Sequence, residues 1–230
     1  CASDIPEKYD IFPAFKTIKK PAEINKKYAA HVSVDISVES MFGDSYNLYA
    51  KNANLFNIDH HVSNSRYAKY NFVRDNAACC EIIYEFMQCL GAEITSEIAD
   101  YLILGIITDT GNFMHSNVTE NTFFDASKLV AAGARIHDIT YRMFKDQTKV
   151  RALLFARVIS KMRFFIDDKL AIISVLADDF EQTGAKQEVT EGFIDFPLSI
   201  RGVEVAVSIM ESKNNCYKVS FRSKGKVNVN

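Results

Sequence analysis

Three short apolar segments, each followed closely by an aspartate, constrain the fold of this chain most strongly. The segments are residues 31–34, 55–58 and 103–107, and the aspartates are Asp35, Asp59 and Asp109. The last two segments are almost continuously apolar, as buried strands of parallel sheets are. The sequence therefore predicts three parallel strands that carry acidic residues at their carboxyl ends.

Segments with apolar residues at helical spacing separate these strands. Residues 77–90 form one such segment, and Gly91 is a stop signal for a helix. Thr95 or Ser96 is positioned to cap a further helix, and Thr119 opens another that reaches Gly133. The alternation of strands and helices predicts an α/β fold with a doubly wound parallel sheet.

Residues 148–165 are apolar and basic at helical spacing, and the change of pattern after them predicts a second, smaller α/β domain. A strand, a mainly helical stretch and a hairpin turning at Asn214–Asn215 are expected there, at residues 170–176, 178–200, 203–210 and 217–221. The predicted organisation is a first domain, a connecting helix and a second domain, at residues 1–147, 148–166 and 167–230.

Composition excludes several classes of protein. The net charge is -2, from 27 basic and 29 acidic side chains, so no global positive field is available to hold long duplex nucleic acid. Five cysteines form an odd set without the spacing of a disulfide framework, which predicts a reducing, cytoplasmic location. The longest apolar runs are too short to predict a membrane span.

The acidic strand ends predict a ligand site, because the carboxyl ends of parallel strands meet at one edge of a sheet. Each aspartate alone could instead cap a turn. One of them continues as Asp59-His60-His61, and this mixture of carboxylates and imidazoles suits Mn²⁺ or Mg²⁺, with imidazole favouring manganese and zinc remaining open. Cys79 and Cys80 lack a metal-site spacing and are interpreted as packing residues.

These motifs resemble those of the DHH phosphoesterases. The resemblance rests on Asp59-His60-His61, on Gly-Ile-Ile-Thr-Asp-Thr-Gly-Asn-Phe at residues 105–113, and on Ser116-Asn117. Residues 201–206 and 219–224 are similar to the DHH-associated C-terminal domain of the branch that degrades very short RNA and dephosphorylates 3'-phosphoadenosine 5'-phosphate. The resemblance implies a metal-dependent hydrolase whose intact members bind two Mn²⁺ ions.

The resemblance also implies roles for individual residues. Asp35 would bridge the two ions, and His60 and Asp109 would be ligands of one of them. His61 would face the substrate phosphate. Asp59 would orient His60, since metal-bound histidines usually donate their other N–H to a carboxylate, although a simple turn cap explains it equally well.

In the second domain, Arg222 and Ser223 would bind the substrate phosphate, with a solvated hairpin arginine as the alternative. Two elements of the family pattern are missing: a His-x-x-x-Asp-x-Asp strand before Asp35 and a Gly-Gly-Gly-Gly-His segment after the last residues. We therefore expect a chain truncated at both ends, with little phosphoesterase activity of its own.

The predicted partner is a short RNA or a nucleotide bisphosphate, without long duplex nucleic acid or a membrane, and a homodimer is left open. Rival functions are pyrophosphatase, cyclic-dinucleotide or linear dinucleotide phosphodiesterase and RecJ-type exonuclease. A nucleotide-binding module without turnover is the alternative from another class.

Overall fold

A computed structural model describes residues 5–49, 54–212 and 216–229 of the chain. The chain divides into two compact units, Cys1–Asp146 and Gln147–Asn230. Each unit combines helices with one sheet, which confirms the predicted α/β class. Within the described residues, every helix is too short or too polar to cross a membrane.

The first unit is built on a parallel sheet of three strands. These are β1 (His31–Val34), β2 (Leu55–Asp59) and β3 (Tyr70–Val73), and they lie in the order β1-β2-β3. Val34 lies opposite Ile58, so β1 and β2 end side by side. The predicted parallel sheet is therefore confirmed, and its carboxyl edge carries the residues that follow β1 and β2.

Among the described residues of the first unit, five α-helices accompany the sheet: α1 (Tyr46–Tyr49), α2 (Cys79–Cys89), α3 (Ser96–Asp109), α4 (Glu120–Ala131) and α5 (Ile136–Phe144). The central helix is α3, which packs against α2, α4 and α5. At Gly105 a Cβ atom would lie 2.2 Å from the Cys80 Sγ atom, so glycine is what lets α2 and α3 approach each other. The thiol of Cys80 thus packs between helices, as predicted from the sequence.

The prediction of a strand at residues 103–107 was wrong, because these residues lie inside α3. The Thr95 hydroxyl accepts a hydrogen bond from the Ile98 N–H and starts the helix. Other elements pack on several sides of α3 and leave Ile103 and Ile106 fully buried. The segment therefore has apolar residues on all its sides. Such a run cannot be assigned to strand or helix by periodicity alone. The third parallel strand is instead β3, which the sequence analysis missed.

The second unit contains α6 (Lys149–Ser160), β4 (Arg163–Phe165), β5 (Leu170–Val175), α7 (Ala177–Thr183), α8 (Asp195–Ser199), β6 (Val205–Glu211) and β7 (Tyr217–Ser223). Its sheet has the order β4-β5-β6-β7, in which β5 and β6 are parallel and the outer pairs antiparallel. Strands β6 and β7 form the predicted hairpin. Its predicted turn at Asn214–Asn215 lies outside the described residues.

The predicted helix at residues 148–166 is shorter than expected. It ends at Ser160, and residues 163–165 form β4. Ile166, Asp167 and Asp168 all have positive φ, between 50° and 62°, and this left-handed turn directs the chain back from β4 into β5. Helical spacing in the sequence therefore continued past the point where the backbone leaves the helix.

Candidate active site

Asp35 occupies the end of β1 in a strained backbone conformation. Its φ is +60°, which is uncommon for a residue other than glycine. The Asp35 N–H donates to the Ile58 carbonyl at 3.0 Å, so the residue is tied to the end of β2. Oδ1 of its carboxylate lies 3.4 Å from Nε2 of His60. Strain of this kind is found where a side chain must be aimed at a functional site.

His60 follows β2 and is held by a backbone carbonyl. Its Nδ1 lies 3.0 Å from the carbonyl oxygen of Asn76. A carbonyl can only accept, so Nδ1 carries a proton and Nε2 is the atom that faces Asp35 Oδ1 and, at 4.0 Å, Asp109 Oδ2. This is the tautomer that a metal-ligating histidine needs, with its second nitrogen anchored by an acceptor.

The expected contact between Asp59 and His60 is a prediction that the structure corrects. Asp59 is fully buried at the end of β2, and its Oδ1 lies 2.8 Å from Nδ1 of His61. Residues two apart on an extended segment point to the same side, which places the carboxylate beside His61 instead of His60. Burial raises the pKa of Asp59, but hydrogen bonds from Asn64 and His61 outweigh it and hold the pKa below its ordinary value.

Asp109 is the last residue of α3, where unsatisfied carbonyl groups make the helix end partially negative. Burial and the nearby Asp35 carboxylate raise the pKa of Asp109, although His60, His61 and the Cys79 N–H lower it in part. Opposite these carboxylates, the hydrogen bond to Asp35 is the largest cause that raises the pKa of His60 to about 9. The site thus concentrates negative charge and compensates it with a proton on His60.

The donor atoms fit a divalent cation. Asp35, His60 and His61 each offer one ligand atom, all within 4.8 Å of one another, and Asp109 Oδ2 lies 4.0 Å from His60 Nε2. Ligands bound at about 2.0–2.2 Å lie at separations of this order around one ion. Oxygen and imidazole donors suit Mn²⁺ or Mg²⁺. His61 Nδ1 is already engaged by Asp59, so only its Nε2 is free to face a ligand.

The nearby thiols are poor metal donors. Burial is the main cause that raises the pKa of both Cys79 and Cys80 to about 12. Metal-binding cysteines act as thiolates, whereas these groups stay protonated at neutral pH. The Cys79 thiol donates instead to the Ile58 carbonyl, at 3.4 Å.

The Thr-Asp-Thr-Gly segment fixes Asp109 through the loop that follows α3. The Thr110 hydroxyl donates to the Ile106 carbonyl at 2.6 Å and accepts from the Phe113 N–H at 3.0 Å. His115 Nδ1 lies 3.2 Å from the Asp109 carbonyl oxygen. The threonine hydroxyl is therefore used inside the protein, and the loop folds back over the end of α3.

Comparisons with known proteins find relatives that match most of this chain. A protein of Thermus thermophilus named bifunctional oligoribonuclease and PAP phosphatase NrnA is 31% identical over 175 residues, which are 75% of this chain and 52% of that protein. The Bacillus subtilis protein of the same name is 25% identical over 186 residues, 78% of this chain and 58% of its own length. The chain is a homologue of these NrnA proteins. The resemblance found in the sequence is thereby confirmed.

The chain spans about half the length of these NrnA relatives. No family model matches it. A crystal structure of an exopolyphosphatase-related protein from Bacteroides fragilis superposes with a TM-score of 0.92 at 22% identity, covering 98% of this chain and 69% of that one. At this identity the likeness establishes the fold alone.

Arg222 and Ser223 lie on β7 in the second unit. Arg222 is exposed, and its guanidinium donates to the Phe221 carbonyl at 3.3 Å. The Ser223 hydroxyl donates to the Val227 carbonyl at 2.7 Å. Their binding of a substrate phosphate stays a prediction, as do the metal-ligand roles of Asp35, His60 and Asp109.

Three residues that build the site were missed by the sequence analysis. Asn76 holds His60, Asn64 holds Asp59, and His115 covers the turn after Asp109. Asn64 could have been suspected, because it is a polar residue three positions after the His60-His61 pair. Asn76 acts through its backbone carbonyl, which no side-chain pattern reveals.

Proposed function

We propose that this protein is a manganese-dependent phosphoesterase that hydrolyses very short RNAs and releases phosphate from 3'-phosphoadenosine 5'-phosphate. The observation that carries the proposal is the convergence of Asp35, His60 and Asp109, with His60 Nε2 facing both carboxylates. The names of the NrnA relatives supply the substrate class.

In this proposal Asp35, His60 and Asp109 would hold the divalent metal. A bound divalent cation supplies Lewis-acid polarisation of the phosphoryl oxygen and lowers the pKa of bound water. The Nδ1–H group of His60 donates to the Asn76 carbonyl, so Nε2 is the nitrogen available to bind the metal. Manganese is favoured over magnesium because imidazole is part of the donor set.

His61 is the proposed substrate-facing group. Its ring is two-fifths exposed, whereas the Asp59 carboxylate that holds it is fully buried. With Nδ1 donating to Asp59, Nε2 is free to take up a proton and to donate it to a phosphate oxygen. Asp59 acts by fixing the orientation of the ring.

The proposed substrates are small, and the charge of the chain supports this. With a net charge of -2, affinity would come from the metal site and from single groups such as Arg222, which can bind a phosphate bidentately. We also propose a cytoplasmic location, because the described thiols of Cys79, Cys80 and Cys89 form no disulfide. The oligomeric state is left open, and light scattering distinguishes a monomer from a homodimer.

The test combines metal binding with turnover. Mn²⁺ binding is measured by calorimetry. Release of mononucleotide from a short RNA and of phosphate from 3'-phosphoadenosine 5'-phosphate is measured in the same chain and in a version extended at both ends, because little activity is expected of the chain alone. We expect His60→Ala and Asp109→Ala to weaken Mn²⁺ binding strongly and to abolish turnover. His137→Ala, which removes an exposed imidazole on α5, is the matched control. Unchanged Mn²⁺ binding in both site variants would refute the proposal.

A further inference from the structure

A buried network of polar side chains lies beneath the site and is not used by the proposed chemistry. The Asn57 amide on β2 is almost fully buried and donates to the Ser33 hydroxyl and the Tyr67 hydroxyl, both at 3.0 Å. Tyr67 in turn donates to the Ile36 carbonyl at 3.0 Å. We call Ser33, Asn57 and Tyr67 the buried amide network. It ties β1, β2 and the segment after His61 together.

Asn64 connects this network to the site. Its Nδ2 atom lies 2.9 Å from Asn57 Oδ1 and 2.5 Å from Asp59 Oδ2, and these are its two shortest acceptor contacts. Its Oδ1 accepts from the Arg66 N–H at 2.7 Å. A primary amide has two N–H donors, so both are committed, one to the network and one to Asp59.

The arrangement decides which oxygen of Asp59 is left for His61. Because Asp59 is fully buried, its carboxylate depends on protein donors. With Oδ2 occupied by Asn64, Oδ1 is directed at His61 Nδ1, 2.8 Å away. An ionised carboxylate only accepts, so this contact selects the His61 tautomer that has the proton on Nδ1 and leaves Nε2 free.

We propose that Asn64 is a positioning residue that anchors Asp59 to the buried amide network and thereby fixes the orientation and tautomer of His61. The inference deepens the proposed function, since it concerns how the same site presents His61 to a phosphate. The hydrogen bonds of the Asn64 side chain go to Asn57, to Asp59 and to backbone groups, so its effect on His61 passes through Asp59. Removal of an outer partner of this kind typically lowers activity or metal affinity about 10- to 100-fold.

Asn71 provides a matched control in the same segment. Its amide donates to the Ala68 carbonyl at 2.6 Å and to the Arg66 carbonyl at 3.2 Å, and its Oδ1 accepts from the Ala68 N–H at 3.2 Å. These bonds hold a turn and are all to backbone groups. Asn71→Ala therefore disturbs the local chain without touching the Asp59 carboxylate.

The experiment reads the His61 tautomer by ¹⁵N NMR of the imidazole nitrogens, at mildly alkaline pH and with diamagnetic Mg²⁺ present. The His61 signals are assigned with His61→Gln. We expect the Nδ1–H form in the parent chain and in Asn71→Ala, and a mixture of tautomers in Asn64→Leu. Asn64→Ala is the second variant, and the same signal is measured in it if Asn64→Leu does not fold. Water should fill the space left by the smaller alanine side chain, so the change in tautomer should be weaker in this variant.

In the turnover assay, Asn64→Leu should lower kcat about 10- to 100-fold while KM stays nearly constant. A His61 that keeps the single Nδ1–H form in both Asn64 variants would overturn the inference. The tautomer signal requires no turnover, so it separates the two proposals. A tautomer change in a protein that hydrolyses no phosphoester would support the role of Asn64 and count against the proposed function.

Discussion

The Nε2 atom of His60 lies 3.4 Å from Oδ1 of Asp35, and this contact joins the residue that follows β2 to the residue that follows β1. It is the largest cause of the raised pKa of His60, about 9, which the Asn76 carbonyl and the Asp109 carboxylate raise further and burial opposes. In the absence of a metal, the imidazole is therefore protonated on both nitrogens at neutral pH, and its positive charge neutralises part of the carboxylate charge.

The stability of the metal-free protein should depend on this proton. Because the pKa of His60 is higher in the folded state than its ordinary value of 6.5, the stabilisation is fully present below pH 6.5 and is lost as the pH rises through about 9. We expect the free energy of unfolding to fall by about 1 to 3 kcal/mol over this window. Urea unfolding at a series of pH values measures it, and His60→Gln should remove most of the slope.

Binding of Mn²⁺ should release the same proton, because the metal and the proton compete for Nε2 of His60. Below a pKa of about 9, the affinity for Mn²⁺ should rise about tenfold for each pH unit. Calorimetry in buffers of different ionisation enthalpy counts the proton directly. Asp138→Asn, which alters a carboxylate on α5, should leave the slope unchanged. An affinity independent of pH between 7 and about 9 would contradict the prediction.

The carboxyl edge of the sheet could be predicted from sequence because short apolar strands followed by acidic residues are a local pattern. Residues 31–34 and 55–58 form strands, and Asp35 and His60 meet at their ends. Asp109 reaches the same place from the end of a helix instead of a strand. The aspartate at the end of an apolar segment was thus informative although the secondary structure of that segment was predicted wrongly.

The partner of Asp59 could not be predicted, since it depends on the paths of the chain after β2. His60 is adjacent to Asp59 in sequence and His61 is two positions away, but the side-chain directions assign the carboxylate to His61. Strand β3 was also missed, because its sequence pattern is weak. Its four residues alternate between exposed and half-buried positions and contain an asparagine, so the apolar pattern of a buried strand is absent.

The close approach of α2 and α3 predicts a specific steric effect at Gly105. A Cβ atom there would lie 2.2 Å from Cys80 Sγ, so Gly105→Ala should destabilise the protein by about 1 to 3 kcal/mol, although alanine favours helices. Cys80→Ala in the same chain should restore much of the loss, because the clash is chiefly with the sulfur. A double-mutant cycle by urea unfolding measures the coupling, and additive effects would contradict it.

Gly111 combines a steric and a conformational requirement next to Asp109. Its φ is +54°, and an added Cβ would lie 2.3 Å from Nε2 of His115, the residue whose Nδ1 contacts the Asp109 carbonyl oxygen. Gly111→Ala should therefore destabilise the protein and also weaken Mn²⁺ binding, because the displaced loop no longer holds Asp109. Gly91 separates the two effects, since its φ is +64° but an added Cβ there meets nothing within 4 Å.

Gly91→Ala should accordingly show only the cost of a left-handed backbone, about 1 to 2 kcal/mol, and bind Mn²⁺ normally. The loss in Gly111→Ala should exceed this value because the clash with the imidazole is added to the backbone cost. Removing the ring in Gly111→Ala/His115→Ala should recover the excess, whereas Mn²⁺ affinity should stay low since the contact to the Asp109 carbonyl is gone. Equal unfolding free energies for the Gly91 and Gly111 variants would show that the His115 ring moves aside at no cost and does not constrain the turn.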